Sequence, residues 1–196
     1  MTLAPAPLNP LVMWAVKKTS EAQMYHNLSK AVRGLAVLTA LTGGLGLFAV
    51  IILTCLSVAG RALDGLGFGP VPGDIELVEL GIGFAVFTSL PYAQYMRAHA
   101  RVDLFKPVFG GTMNRWLDLA GDLLMLGFTA LLAWRLWFGM MDKAAYGETS
   151  FILQIPLLWG YAAAMLAMCV AVLVALFCVL RAARAVFNPE AQHEPL

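Results

Sequence analysis

The sequence predicts an all-α integral membrane protein. It should have four transmembrane helices, both termini in the cytoplasm, and interfacial amphipathic segments at the N-terminus and between spans two and three. Three observations carry this. Of 196 residues, 60% are apolar and 13% charged, with a mean hydropathy of +0.76, whereas charged residues make up roughly a quarter of a soluble domain. The apolar residues gather into four runs, each long enough to cross about 30 Å of hydrocarbon as a helix. Ten lysines and arginines precede the first run, separate the second from the third or follow the fourth, and only Arg61 and Lys143 fall in the other two connections. That asymmetry sets the orientation.

The chain divides into a cytoplasmic segment at 1–33, one transmembrane domain at 34–180 and a cytoplasmic tail at 181–196. The spans fall at about 34–59, 75–96, 116–138 and 152–180. Up to Pro10 the chain is rich in Pro and Ala. Residues 11–33 then mix Trp14 and Tyr25 with Lys17, Lys18, Lys30 and Arg33, which suits either a helix lying along the membrane surface or a loose tail. No short apolar core with a small-residue cleavage site precedes the first span, so that span is expected to stay in the mature chain. Within it Ala36, Ala40 and Gly44 recur every fourth residue, a stripe against which another helix can approach closely. Arg61 closes the span, and Gly65 to Gly73, with Pro70 and Pro72, reads as a short loop.

Asp74 is placed to cap the second span, with Glu76 and Glu79 in the first turns, where the helix dipole favours acids. Glu79 stands out because it lies one turn inside the apolar run. It is either a functional carboxylate or an interfacial acid paired with a neighbouring helix. Pro91 should kink the span, and Tyr92 and Tyr95 fall where an aromatic belt is expected. The stretch from Arg97 to Arg115 is a charged hinge with interleaved apolar residues, suited to the bilayer surface and broken near Pro107 and Gly110–Gly111.

The third span opens with Arg115 and Asp118, which can pair at i and i+3, and carries Asp122 one turn deeper. Asp122 should face the bundle or a partner, because an unpaired acid facing lipid costs several kcal/mol. Arg135 can snorkel to the headgroups beside Trp134 and Trp137. Met140 to Ser150, with Asp142, Lys143 and Glu148, makes the second outer loop. The fourth span opens through Pro156, carries Trp159 and Tyr161 at its belt and shows a stripe at Ala163, Ala167, Ala171 and Ala175.

Several chemistries find no support. The histidines His26, His99 and His193 lie outside the spans, so no facing pair is available for haem and no metal-spaced cluster is formed. Cys55, Cys169 and Cys178 make no C-x-x-C pair. No nucleotide loop or nucleophile motif occurs, and no basic stripe suggests nucleic acid. The chain therefore reads as neither an enzyme nor a cofactor carrier. Internal repeats and broken mid-membrane helices, the marks of a secondary transporter, are also missing. The charges lie at the interfaces, as a helper or scaffold subunit needs.

Taken in order, Arg61, Glu79, the hinge His99-Ala100-Arg101-Val102-Asp103, Arg115 with Asp118, and Gly147-Glu148 followed by Ile155-Pro156 and Trp159-Gly160-Tyr161 resemble the small permease (DctQ-type) subunit of tripartite ATP-independent periplasmic (TRAP) transporters. The likeness covers roughly Ser29 to Arg184. It implies a sodium-coupled system for an organic anion in the bacterial inner membrane. A large permease (DctM-type) subunit would hold the substrate and ion sites, and a periplasmic substrate-binding protein (DctP-type) would deliver the anion. This chain would brace the large subunit among membrane lipids, with no cofactor. Arg61, Glu79, His99, Arg101, Asp103, Arg115, Asp118, Asp122 and Glu148 become the candidates for structural or partner-interface contacts. The rival readings are a small homodimeric proton-coupled exporter using Glu79 or Asp122, and a redox subunit. The position of both acids near span ends argues against the exporter, and the missing haem or paired thiols against the redox subunit.

Overall fold

The structure, a computed structural model, describes residues 10–98 and 110–187, with side chains described from residue 23 onward. His99, Arg101 and Asp103 lie outside the described residues, as does most of the hinge. The described chain is all helical apart from its connections. The elements are α1 (Pro10–Ala62), a short 3-10 turn (Asp64–Leu66), α2 (Asp74–Tyr95), α3 (Gly111–Tyr146) and α4 (Leu157–Phe187). All four α-helices are long and apolar enough to cross a membrane. In hydrocarbon, every backbone group must be satisfied within its own segment, which favours unbroken helices through each apolar run.

The helices exceed the apolar runs at several ends. α1 is one continuous helix of 53 residues, about 80 Å long, so no break separates residues 11–33 from the first span. α3 starts before Trp116 and continues through the Lys143 region to Tyr146. α4 begins at Leu157 rather than at residue 152. Residues 150–155 are a tight loop instead, closed by an isolated bridge between Thr149 and Pro156. The Ser150 N–H donates to the Ile155 carbonyl at 2.9 Å, and the Leu157 N–H to the Glu148 carbonyl at 3.0 Å.

Packing follows the order α1–α2–α4–α3. Neighbours in that row lie against each other, the N-terminal half of α1 also reaches α4, and α3 packs its backbone on neither α1 nor α2 among the described residues. The result is an open layer rather than a closed bundle. α4 is its spine: 44% of its apolar stretch is buried, against 6–11% for the other three helices.

The small-residue stripes hold in α4 and shift in α1. Ala167, Ala171 and Ala175 are buried together with Ala164, Val174 and Cys178, while Ala163 is only half-buried. In α1, Ala36 is fully buried against Val174 and Cys178, but Gly44 is exposed and the contact moves to Gly43. Steps of four residues drift about 40° around a helix of 3.6 residues per turn, so a contacting face must alternate steps of three and four. Gly43 lies against Thr88 of α2, whose hydroxyl occupies the space a side chain would need.

Candidate functional site

The ionisable groups gather at the two ends of the layer. At the end carrying the α1–α2 connection, Arg61 of α1 donates to an Asp74 carboxylate oxygen at 2.8 Å, and the buried Ser57 hydroxyl donates to the same oxygen. Gly73, in the left-handed region at φ 72°, takes the cap position expected for Asp74. Freed from capping, Asp74 ties α1 to α2. The next acid, Glu76, receives the Ile152 N–H at 2.7 Å and the Leu153 N–H at 3.0 Å. One carboxylate of α2 thus holds the loop before α4. Lys143 pairs with Glu148 across the C-terminus of α3, and the Gln154 amide donates to the Phe151 carbonyl at 3.0 Å. Ser150 is buried, while the loop projects Phe151 outward, 95% exposed.

Glu79, the acid singled out from the sequence, is exposed on α2 and makes no ion pair among the described residues. Glu76 has the fixed partners instead. The apolar pattern could mark depth, but the partners of Glu76 are backbone amides about 76 residues away, which no local signal reveals.

At the opposite end, Arg97 follows the last turn of α2 with φ 50°. Its guanidinium reaches α3 and bonds Asp122, with Asp118 at 3.4 Å. The Arg97 and Asp122 side chains are 17% and 7% exposed, and that of Asp118 39%. Asp122 therefore turns into this chain. The expected Arg115–Asp118 pair is not formed among the described residues, because Asp118 turns to Arg97, which arrives more deeply buried than the half-exposed Arg115. Buried beside this cluster, Gln94 receives at its backbone carbonyl a weak Cys178 S–H bond at 3.6 Å. The buried Gln94 Oε1 and Arg97 Nε have no hydrogen-bond partner among the described residues. Arg97, Gln94 and Ser57 were missed by sequence reasoning. Asp122 was the available signal, since a buried acid requires a cation and Arg97 is the basic residue nearest the end of α2.

Tyr95 also departs from the belt expectation. It is half-buried and stacks on Phe177 of α4 at 6.5 Å, as does Tyr25 of α1 at 5.8 Å. Tyr92 remains exposed.

This arrangement defines a multi-pass helical membrane protein whose polar groups serve mainly to lock its helices together at their ends. No group of three or more metal-type ligands occurs among the described residues. Residues 50–188 match the family model DctQ, described as the DctQ component of tripartite ATP-independent periplasmic transporters, and the chain belongs to that family. It is a component of a TRAP transporter. Neither a curated protein nor a solved structure matches it.

Proposed function

We propose that this chain is the small membrane subunit of a sodium-coupled TRAP transporter for an organic anion. It braces the large DctM-type permease subunit in the bacterial inner membrane, with both termini in the cytoplasm, and its outer loops help dock the DctP-type substrate-binding protein. The open α1–α2–α4–α3 layer carries this reading. Such a layer leaves wide apolar faces, as on Leu38, Leu41, Leu45 and Phe48 of α1, available to lipid and to a larger membrane partner. The charges that could serve a transport path are instead spent at the ends, in the Arg61–Asp74, Lys143–Glu148 and Arg97–Asp118–Asp122 contacts. Glu79, exposed and without an ion pair among the described residues, is the acid we assign to the large-subunit interface, since a carboxylate at that depth requires a polar neighbour.

Affinity purification of the tagged chain from its native membrane in mild detergent, followed by mass spectrometry, tests the assembly. A large polytopic permease should co-purify, and Glu79→Gln should reduce its yield without lowering the amount of this chain. Reconstitution tests the division of labour. Sodium-driven uptake should require the large subunit and the binding protein, and uptake by this chain alone would overturn the reading.

A further inference from the structure

The N-terminal half of α1, the end of α2 and the end of α4 meet in a cluster that the bracing role leaves unused. Tyr25 and Tyr95 stack on Phe177. The Arg184 guanidinium lies 4.3 Å from the Tyr25 ring centroid, and that of Arg181 lies 5.7 Å from the Tyr95 centroid. Neither arginine has an acidic partner among the described residues, and Asp118 and Asp122 are already engaged by Arg97. A ring face steadies a guanidinium without consuming its N–H donors. Two cations are therefore held in place with no hydrogen bond from their edges among the described residues.

The surroundings indicate what those edges receive. The cluster lies where α4 leaves its apolar stretch, a level suited to tyrosine and to lipid headgroups. Leu173, Leu180 and Arg184 fall within about 40° of one another around α4, and both leucines are exposed. An apolar track thus runs down the helix directly beneath one guanidinium. A soluble anion has no use for it, whereas a phospholipid carries a phosphate at one end and acyl chains that match the track.

We propose that Arg181 and Arg184, propped on Tyr95 and Tyr25, bind the phosphate of an anionic phospholipid whose acyl chain lies along Leu180 and Leu173. Arginine suits this role because its planar fork can grip a phosphate with two N–H groups while stacking on a ring. Merely balancing the helix dipole or setting orientation would need only charge, so lysine would serve equally. That difference makes the site testable.

The test uses the full chain with its co-purifying partner, stripped of lipid in mild detergent. Native mass spectrometry then follows titration with phosphatidylglycerol or with zwitterionic phosphatidylcholine. The native protein should bind phosphatidylglycerol in preference. Arg181→Gln with Arg184→Gln should weaken that binding about twenty-five-fold, from roughly fivefold per cation at a membrane surface. The double lysine variant keeps the charge term but loses the two-pronged grip and the ring stacking, so it should bind more tightly than the double glutamine variant and several-fold more weakly than the native protein. Tyr25→Leu, with both arginines kept, should weaken binding several-fold, and it carries the test alone if the double variants fail to fold. Unchanged binding in the folded double glutamine variant, or in Tyr25→Leu, would overturn the proposal. So would displacement of phosphatidylglycerol by tens of millimolar inorganic phosphate, which would identify a soluble anion instead. Recovery of the partner in the same samples separates this outcome from failure of the bracing role.

Discussion

Asp122→Asn separates a contact within the chain from one between subunits. The substitution removes a carboxylate whose side chain is 7% exposed and which bonds an Arg97 side chain 17% exposed. Breaking a buried pair so that one charge is left alone costs about 3–5 kcal/mol. Arg97 is not left alone, because Asp118 remains 3.4 Å away, so we expect a loss of about 2 kcal/mol. For a chain of this size that is a fall of about 4–8 °C in melting temperature. Asp118→Asn, at the longer distance and with its side chain 39% exposed, should cost no more than ~1 kcal/mol. Replacing Arg97 and Asp122 together by Met and Leu should destabilise less than Asp122→Asn with Arg97→Met taken as a sum, since no charge is then left unpaired. Thermal melts of the detergent-purified chain, read by size-exclusion fluorescence, measure all of these. Co-purification of the large subunit, scaled to folded chain, should stay unchanged. A melt within about a degree of the native protein, or a loss of partner without loss of stability, would refute the assignment of Asp122 to the interior.

Three further perturbations address the other contacts. Glu76→Gln should release the loop before α4, raising amide exchange at Ile152 and Leu153 at least tenfold while distant helix amides stay protected; unchanged exchange would remove Glu76 as the loop's anchor. Gly43→Leu should drive α1 from α2, because the Thr88 hydroxyl fills the space, and a disulfide engineered between these helices should then form more slowly. Gly73→Ala should cost about 1–3 kcal/mol, combining a left-handed backbone at φ 72° with a clash against Leu153. A melt that does not fall would contradict that geometry.

The four spans were legible because a run of apolar residues of the right length has few other uses. Their ends were less so, since helix formation continues past the apolar run wherever side chains permit, as in α3 through Lys143 to Tyr146. Ile152, Leu153 and Ile155 illustrate the converse. Their apolar character suggested helix, but a carboxylate from α2 holds the chain there in a loop. Composition reports solvent preference, and a rigid loop at the membrane boundary shares that preference with a span. Among site residues, Asp122 was identified from its depth and Asp118 from its spacing to Arg115, whereas their shared partner, Arg97, is a long-range choice: its side chain reaches α3 from just beyond the last turn of α2. The one-residue difference between Gly44 and Gly43, about 100° around the helix, has the same origin, because sequence spacing gives a stripe but only the neighbouring helix decides which edge of it is used.

The unbroken α1 has a mechanical consequence. Long helices bend only gently without a kink-forming residue or bulge, so this one acts as a lever about 80 Å long. Its far end is latched to α2 by Ser57 and Arg61 on Asp74. A tilt of ~10° about that latch would sweep the N-terminal tip through ~14 Å for a rod of that length. If the binding protein docks on the outer loops as proposed, small rearrangements there would thus be magnified at the opposite end of this helix.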